Sequence, residues 1–436
     1  MRISTYALAS VLAALTLAAP VTAQRVEQTK NTQTSIRSQS GGAVSKSEEK
    51  AEEQQSADKL STGRKLDISK KARPAIIELQ NAVTANDTAN IPAKLAAAQA
   101  VAQSADDKFA IAINQIKAAT NANDLAGMKA GIDALKASGG AEPADLVSRY
   151  NNLGKRYYDA KQVDPAVAAF ESTLAVDANN SDALKMLASA RNDQGRPADA
   201  AALMGRSLAA MKAAGHKPSE NDYKFAAKVA FASKSPASDD IMRGLLTDYP
   251  TQGNWRTVLG IYRDANRLQG DSKVDVLRLA SAANALQGDG DYFAYVNELV
   301  MLGYLNEAKT VVDHASAAKA IDPNKQVFKQ FAAKLASAPS RATIDSVAKT
   351  ALAGPPQKAM DTGNALYGIG AYAEAATFYK AVAAKGGAAA NEANLRLGMA
   401  LARSGDKAGA ATALNAVAGS QAGIAKFWLI WLNSQG

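Results

Sequence analysis

In this chain of 436 residues, nucleophilic or metal chemistry would have to rest on two histidines, His216 and His314, and on no cysteine at all. Without Cys there is no disulfide, thiolate nucleophile, zinc ribbon, iron–sulfur cluster or lipidated N-terminal cysteine. The histidines stand 98 positions apart, so neither belongs to a local His/His or His/carboxylate ligand pattern. His216 falls in a loop between Gly215 and Pro218, and His314 follows Val311 and Val312 as a boundary residue on a helix. Gly154-Lys155-Arg156 comes nearest to a phosphate loop, yet lacks the Ser/Thr that would hold a magnesium ion. Gly288-Asp289-Gly290-Asp291 opens like a calcium loop, but Val300 stands where the closing Glu is needed, so it reads as a loop between hairpins. Asp239-Asp240 reads as a helix cap and Glu48-Glu49 as part of a solvated segment. No nucleophile elbow occurs. This inventory assigns no catalytic residue, metal ligand or cofactor, and argues against an enzyme.

The elements that would carry any site are helices. Between Leu66 and Gly140, apolar residues recur at helical spacing as Ile76, Leu79 and Val83, then Phe109, Ile113 and Ile116, then Leu125, Met128, Ile132 and Leu135. Breaks fall at Asn86-Asp87-Thr88 before Ile91-Pro92, at the Ser104/Asp107 capping box, at Asn121 to Asp124, and at Gly139-Gly140. No period-two run predicts a sheet. Residues 66–141 are therefore Ala-rich helical hairpins, about four helices.

Ahead of them lie two segments of different character. Met1-Arg2, the apolar Ala7 to Ala19 and Pro20-Val21-Thr22-Ala23 have the layout of a secretory leader at 1–23, cleaved after Ala23. The apolar stretch is shorter than the ~20 residues that span a bilayer, and no later segment spans one. Its Ala-rich character points to a bacterial leader and a periplasmic protein. Residues 24–65 are rich in Gln, Ser, Thr, Lys and Glu and read as a disordered or frayed-helix tether, with too little apolar area to offset ordering. The formal net charge of +9 is not gathered into a basic block, which argues against nucleic acid.

From Glu142 a repeat becomes readable. Tyr150, Leu153, Gly154 and Tyr157, followed by Ala166 and Phe170, resemble the tetratricopeptide signature, with Tyr in place of its Trp and Ala178 in place of its usual Pro. Leu184, Leu187, Ala188, Ala200 and Met204 repeat the pattern one unit on, from Ser181. Gly363, Leu366, Ala375 and Tyr379 show it again, and Gly398, Leu401, Ala410 and Leu414 follow 35 residues behind Gly363, Leu366, Ala375 and Tyr379. Between these pairs the motif degenerates: Trp255, Val258, Leu259 and Tyr262 mark one helix, and Tyr292, Tyr295, Gly303, Ala308 and Val312 a hairpin. The resemblance implies an all-α, right-handed superhelical solenoid of stacked antiparallel helix hairpins over 142–436. Phe427-Trp428-Leu429-Ile430-Trp431-Leu432 would form its C-terminal capping helix.

In tetratricopeptide proteins the first helix of each hairpin lines a concave groove that holds an extended peptide or a partner's helix. That implies partner-binding positions at Asn151, Lys155 and Tyr158, and at Lys185, Ser189 and Asn192. The later units would offer Asn364 and Tyr367, then Met399 and Arg403. The expected function is a non-catalytic periplasmic scaffold that binds proteins or peptides of the envelope, in assembly or secretion. A structural accessory subunit of an envelope polysaccharide or outer-membrane export machine is the alternative. A cell-wall enzyme would need paired carboxylates in a cleft.

Overall fold

Several helix starts in this chain are fixed by side chains that accept the first free amides. In the computed structural model, which describes residues 65–435, Ser104 Oγ accepts the Asp107 amide while Asp107 accepts the Ser104 amide. Asp124, Asn180, Thr251, Ser340 and Asp406 cap five other helices in the same manner. The leader at 1–23 and the tether up to residue 64 lie outside the described residues.

The described residues are helical throughout and form two compact units, one of residues 65–218 with 228–235, the other of residues 219–227 with 236–435. The first holds α1 (Arg73–Thr84), α2 (Ile91–Val101), α3 (Ala105–Asn121), α4 (Leu125–Ala137), α5 (Pro143–Asp159), α6 (Val163–Val176), α7 (Ser181–Asp193) and α8 (Pro197–Ala213). Residues of α9 (Glu220–Ala232) belong to both. The second holds α10 (Ser238–Asp248), α11 (Gln252–Ala265), α12 (Gly270–Ala282), α13 (Gly288–Met301) and α14 (Leu305–Ala317). It continues through two short turns of helix, α15 (Gln326–Lys329) and α16 (Ala332–Ala336), to α17 (Arg341–Ala351), α18 (Pro356–Gly368), α19 (Tyr372–Lys385), α20 (Ala390–Ser404), α21 (Lys407–Asn415) and α22 (Ala422–Asn433).

One turn recurs in these hairpins. A residue of positive φ follows the first helix, and the amide after it reaches back five residues, as from Gln162 to the Tyr157 carbonyl, Arg196 to Arg191, Ala371 to Leu366 and Asp406 to Leu401. Glycine occupies it at Gly195 and Gly370, but Asn86, Asn123, Lys161 and Arg267 adopt it against the steric preference of L-residues. The turn therefore outlasts the glycine signal, which is why the repeat extends beyond the units legible in sequence. Gly288 to Asp291, read as a loop, instead open α13: Gly288 turns the chain at φ +66°, and Asp289 and Asp291 sit in the first helical turn, where the free amides favour negative charge.

The hairpins close on one small residue against one large one. A Cβ on Gly154 would lie 2.5 Å from Phe170 Cε1, one on Gly363 2.7 Å from Tyr379 Cε1, and one on Gly398 2.5 Å from Leu414 Cγ. Ala166, Ala375 and Ala410 are fully buried in the facing helices, and Leu153, Tyr150 and Tyr157 line the core of the first unit. In the second unit the stack returns upon itself. Helix α22 packs against α10 and α20, Phe427 meets Tyr262 edge to face at 5.0 Å, and Trp428 is completely buried.

Asp107 secures the start of the first unit. Burial pushes its carboxyl up, but the amides of Ser104, Gln103 and Ser69 and the Ser69 hydroxyl more than offset this and hold its pKa at about 2, below the ordinary 3.8. Because the folded value is depressed, this contribution is complete above about pH 4 and fades as the pH falls through about 2. Asp107→Asn is expected to flatten the acid limb of a stability–pH curve in that window; an unchanged acid limb would contradict the pinning role. Gly154→Ala should cost about 1–3 kcal/mol in urea unfolding by overpacking Phe170. Gly205→Ala, with nothing within 4 Å of the added methyl, should gain about 0.5–1 kcal/mol.

Candidate functional site

In the first unit, α5 and α7 pack together and carry the six positions implied by the resemblance. Asn151, Lys155, Tyr158, Lys185, Ser189 and Asn192 are all half-buried. Tyr158 donates its hydroxyl to Asp193 Oδ2 at 2.6 Å, so it joins α5 to α7; burial and that carboxylate push its pKa up to about 12. Ser189 donates to the Lys185 carbonyl at 3.2 Å, and Lys185 Nζ stands 3.9 Å from Asp182. Asn151 Oδ1 is covered and accepts no hydrogen bond among the described residues. The row is a polar strip, set below the fully exposed surface.

The second unit departs from expectation. Asn364 and Met399, expected to line a groove, are buried, at 3% and 0% exposure, because α18 and α20 turn that face inward. Asn364 there meets a cluster of charges whose members carry no motif in the sequence. Arg278 of α12 is 2% exposed and donates Nε to both oxygens of Glu307 on α14, at 3.0 and 3.2 Å, and Nη2 to Glu307 Oε2 at 2.7 Å. Its Nη1 donates to Asp275 Oδ1 at 2.9 Å, one turn back on its own helix. Tyr295 of α13 donates to Glu307 at 2.5 Å. Arg396 of α20, also 2% exposed, donates to Asn364 Oδ1 at 3.1 Å and to Asp271, and pairs with Glu392 at 2.8 Å. Tyr304 donates to Asp271 at 2.5 Å, and Tyr379 to Asn364 at 2.8 Å.

The electrostatics follow from this burial. The Asp275 carboxyl is pushed up by desolvation, against the pull of Arg396 and Arg278. Burial also raises Glu392, whereas at Asp271 the Arg396 guanidinium and the Tyr304 hydroxyl overcome burial and lower the pKa. Desolvation depresses the Arg278 pKa, but Glu307 outweighs it and keeps the guanidinium firmly protonated. Asp275 Oδ2, Asn364 Nδ2 and Arg396 Nε remain buried without hydrogen-bond partners among the described residues. Each such group typically costs about 1–3 kcal/mol.

Above this cluster lies a cavity of about 330 Å³. Arg278, Glu307, Tyr295 and Tyr367 line it, together with Tyr372 and Arg403. Glu307 is the one carboxylate in the lining, and its oxygens already hold Arg278 and Tyr295. It is therefore poorly placed to act as a base. No group of three His, Asp or Glu among the described residues could hold a metal ion. His314 lies at the same cavity, exposed to solvent. Arg403 is the one member of this site that the tetratricopeptide pattern pointed to and the structure leaves half open; Arg278 and Glu307 had no such signal.

No protein-family model matches the sequence, and no curated protein matches it. Solved structures to which the chain is similar include that of Pseudomonas aeruginosa pilF, at 13% identity over 61% of this chain and 97% of that one, with a TM-score of 0.23. The maize pentatricopeptide repeat protein PPR10 aligns at 16% identity over 80% of this chain and 53% of its own, TM-score 0.27. The quorum sensor NprR of B. thuringiensis aligns at 12% over 71% and 97%, TM-score 0.22.

Arg278→Met strands Glu307 and Asp275 without their cation and should cost about 3–5 kcal/mol in urea unfolding. Arg341→Met, at a solvent-screened pair with Glu374, should leave the unfolding midpoint almost unchanged. Equal losses at the two sites would mean that burial does not distinguish these pairs.

Proposed function

We propose that this chain is a non-catalytic, exported scaffold that binds a protein or peptide of the bacterial cell envelope, in assembly or secretion. The observation that carries the reading is the half-buried polar strip on α5 and α7, where Lys155 and Lys185 stand among Asn151, Ser189 and Asn192. An extended peptide presents carbonyls and carboxylates, and a strip of amide, hydroxyl and ammonium donors held by packed helices is suited to receive them. The uncovered need of Asn151 Oδ1 for a donor adds to this, since a peptide amide would supply one. The leader supports export to the periplasm.

Two measurements test the reading. N-terminal sequencing of the protein from a periplasmic fraction should begin at Gln24; a chain confined to the cytoplasm and still beginning at Met1 would contradict export. Crosslinking followed by mass spectrometry, with wild type and a Lys155→Glu/Lys185→Glu variant, should lose one or more partners in the variant while its unfolding midpoint is kept. Identical partner lists would sink the assignment of the strip.

A further inference from the structure

Arg396 and Arg403 lie two turns apart on α20, on the same face, yet only the first is matched by carboxylates. Arg403 is half-buried and donates Nη2 to the Tyr372 hydroxyl at 3.1 Å, with its Cζ 5.0 Å from the Tyr372 ring centroid. Tyr372 is itself fixed, edge to face with Tyr367 at 4.9 Å. The guanidinium is thus held in place by a neutral partner, and no carboxylate among the described residues lies within ion-pair distance of it. It faces the cavity of about 330 Å³, whose other charged groups, Arg278 and Glu307, are engaged with each other.

A half-buried, preoriented guanidinium without an anion recovers its lost hydration by binding one, and its planar fork matches a carboxylate. A dianion would meet Glu307 across the same small space, so the balance favours a single negative charge. The volume sits at the lower end of ligand clefts, which run about 300–1,000 Å³. That suits a body of one or two amino-acid residues, with the Tyr292 and Tyr367 rings as apolar wall and Thr310 as a hydroxyl partner. We propose that this cavity binds a small carboxylate, its carboxylate group on Arg403 and its body against Tyr292 and Tyr367. The carboxylate could be the C-terminus of a peptide or a free organic acid. The proposal is independent of the strip on α5 and α7.

Isothermal titration calorimetry on the full chain tests it with four probes: N-acetyl-dialanine, the same dipeptide as its C-terminal amide, butyrate, and inorganic phosphate. The acid dipeptide or butyrate should bind, the amide and phosphate at least about tenfold more weakly, which is about 1.4 kcal/mol. The tighter of the two carboxylates identifies the source as a peptide end or a free acid. Arg403→Gln should weaken the bound carboxylate by at least about tenfold with the unfolding midpoint retained. Tyr372→Phe, which keeps the ring and removes only the hydroxyl that orients Arg403, should weaken it less. The Lys155→Glu/Lys185→Glu variant should bind as wild type does. The proposal is overturned if acid and amide bind alike, if neither carboxylate binds wild type at about 10 mM, or if Arg403→Gln binds as wild type does.

Discussion

A guanidinium cannot be taken out of water without anions to receive it, and Arg396 is 2% exposed. Its partners are Asp271, Asp275 and Glu392, and the first two lie on a helix 125 residues earlier or nearly so. That need draws α12 and α20 together and sets the curvature of the second unit. Asn364 and Met399, which an open stack would leave on its inner face, are enclosed as a result. The same closure makes a seat for α22, whose Phe427 meets Tyr262 edge to face and whose Trp428 is fully buried. Arg278 and Glu307 form the second half of the cluster, stacked under Tyr367 with 4.7 Å from guanidinium carbon to ring centroid. Buried ion pairs of this kind contribute little net stability over an apolar core, but they tolerate few alternatives, and a wrong pairing leaves a charge stranded. Their effect is to select one closure of the stack.

The first unit relies on shape instead. Its hairpins close on Gly154 against Phe170 and on Gly131 against Ile116, contacts that admit no added methyl without movement. This division bears on function. The first unit carries a half-buried polar strip on α5 and α7, whereas the second adds a buried charge cluster to contacts of the same kind and holds a cavity of about 330 Å³. The binding proposed along the first and the capture proposed within the second would use different residues.

The hairpins were legible because their contacts come from neighbouring helices at a constant separation. Gly363 with Tyr379 and Gly398 with Leu414 lie 16 residues apart in each case, so the period exposes them. The turns were less legible, since Lys161 and Arg267 adopt a backbone conformation that a reader assigns to glycine. The charge cluster was not legible, because Asp271, Asp275 and Arg278 at helical spacing look like a solvated face, and nothing local ties them to Arg396. One signal was present: Leu277-Arg278-Leu279 and Leu395-Arg396-Leu397 each set an arginine directly between two leucines. A charged residue in that setting is either at a boundary or paired inside.

The central claim is that burial of Arg396 holds the second unit closed as one cooperative body. Hydrogen–deuterium exchange of wild type and Arg396→Met measures this most directly. The account predicts that the variant loses amide protection together across α12, α18, α20 and α22. Loss confined to the turns of α20 around residue 396, with α12 and α22 as protected as in wild type, would contradict it.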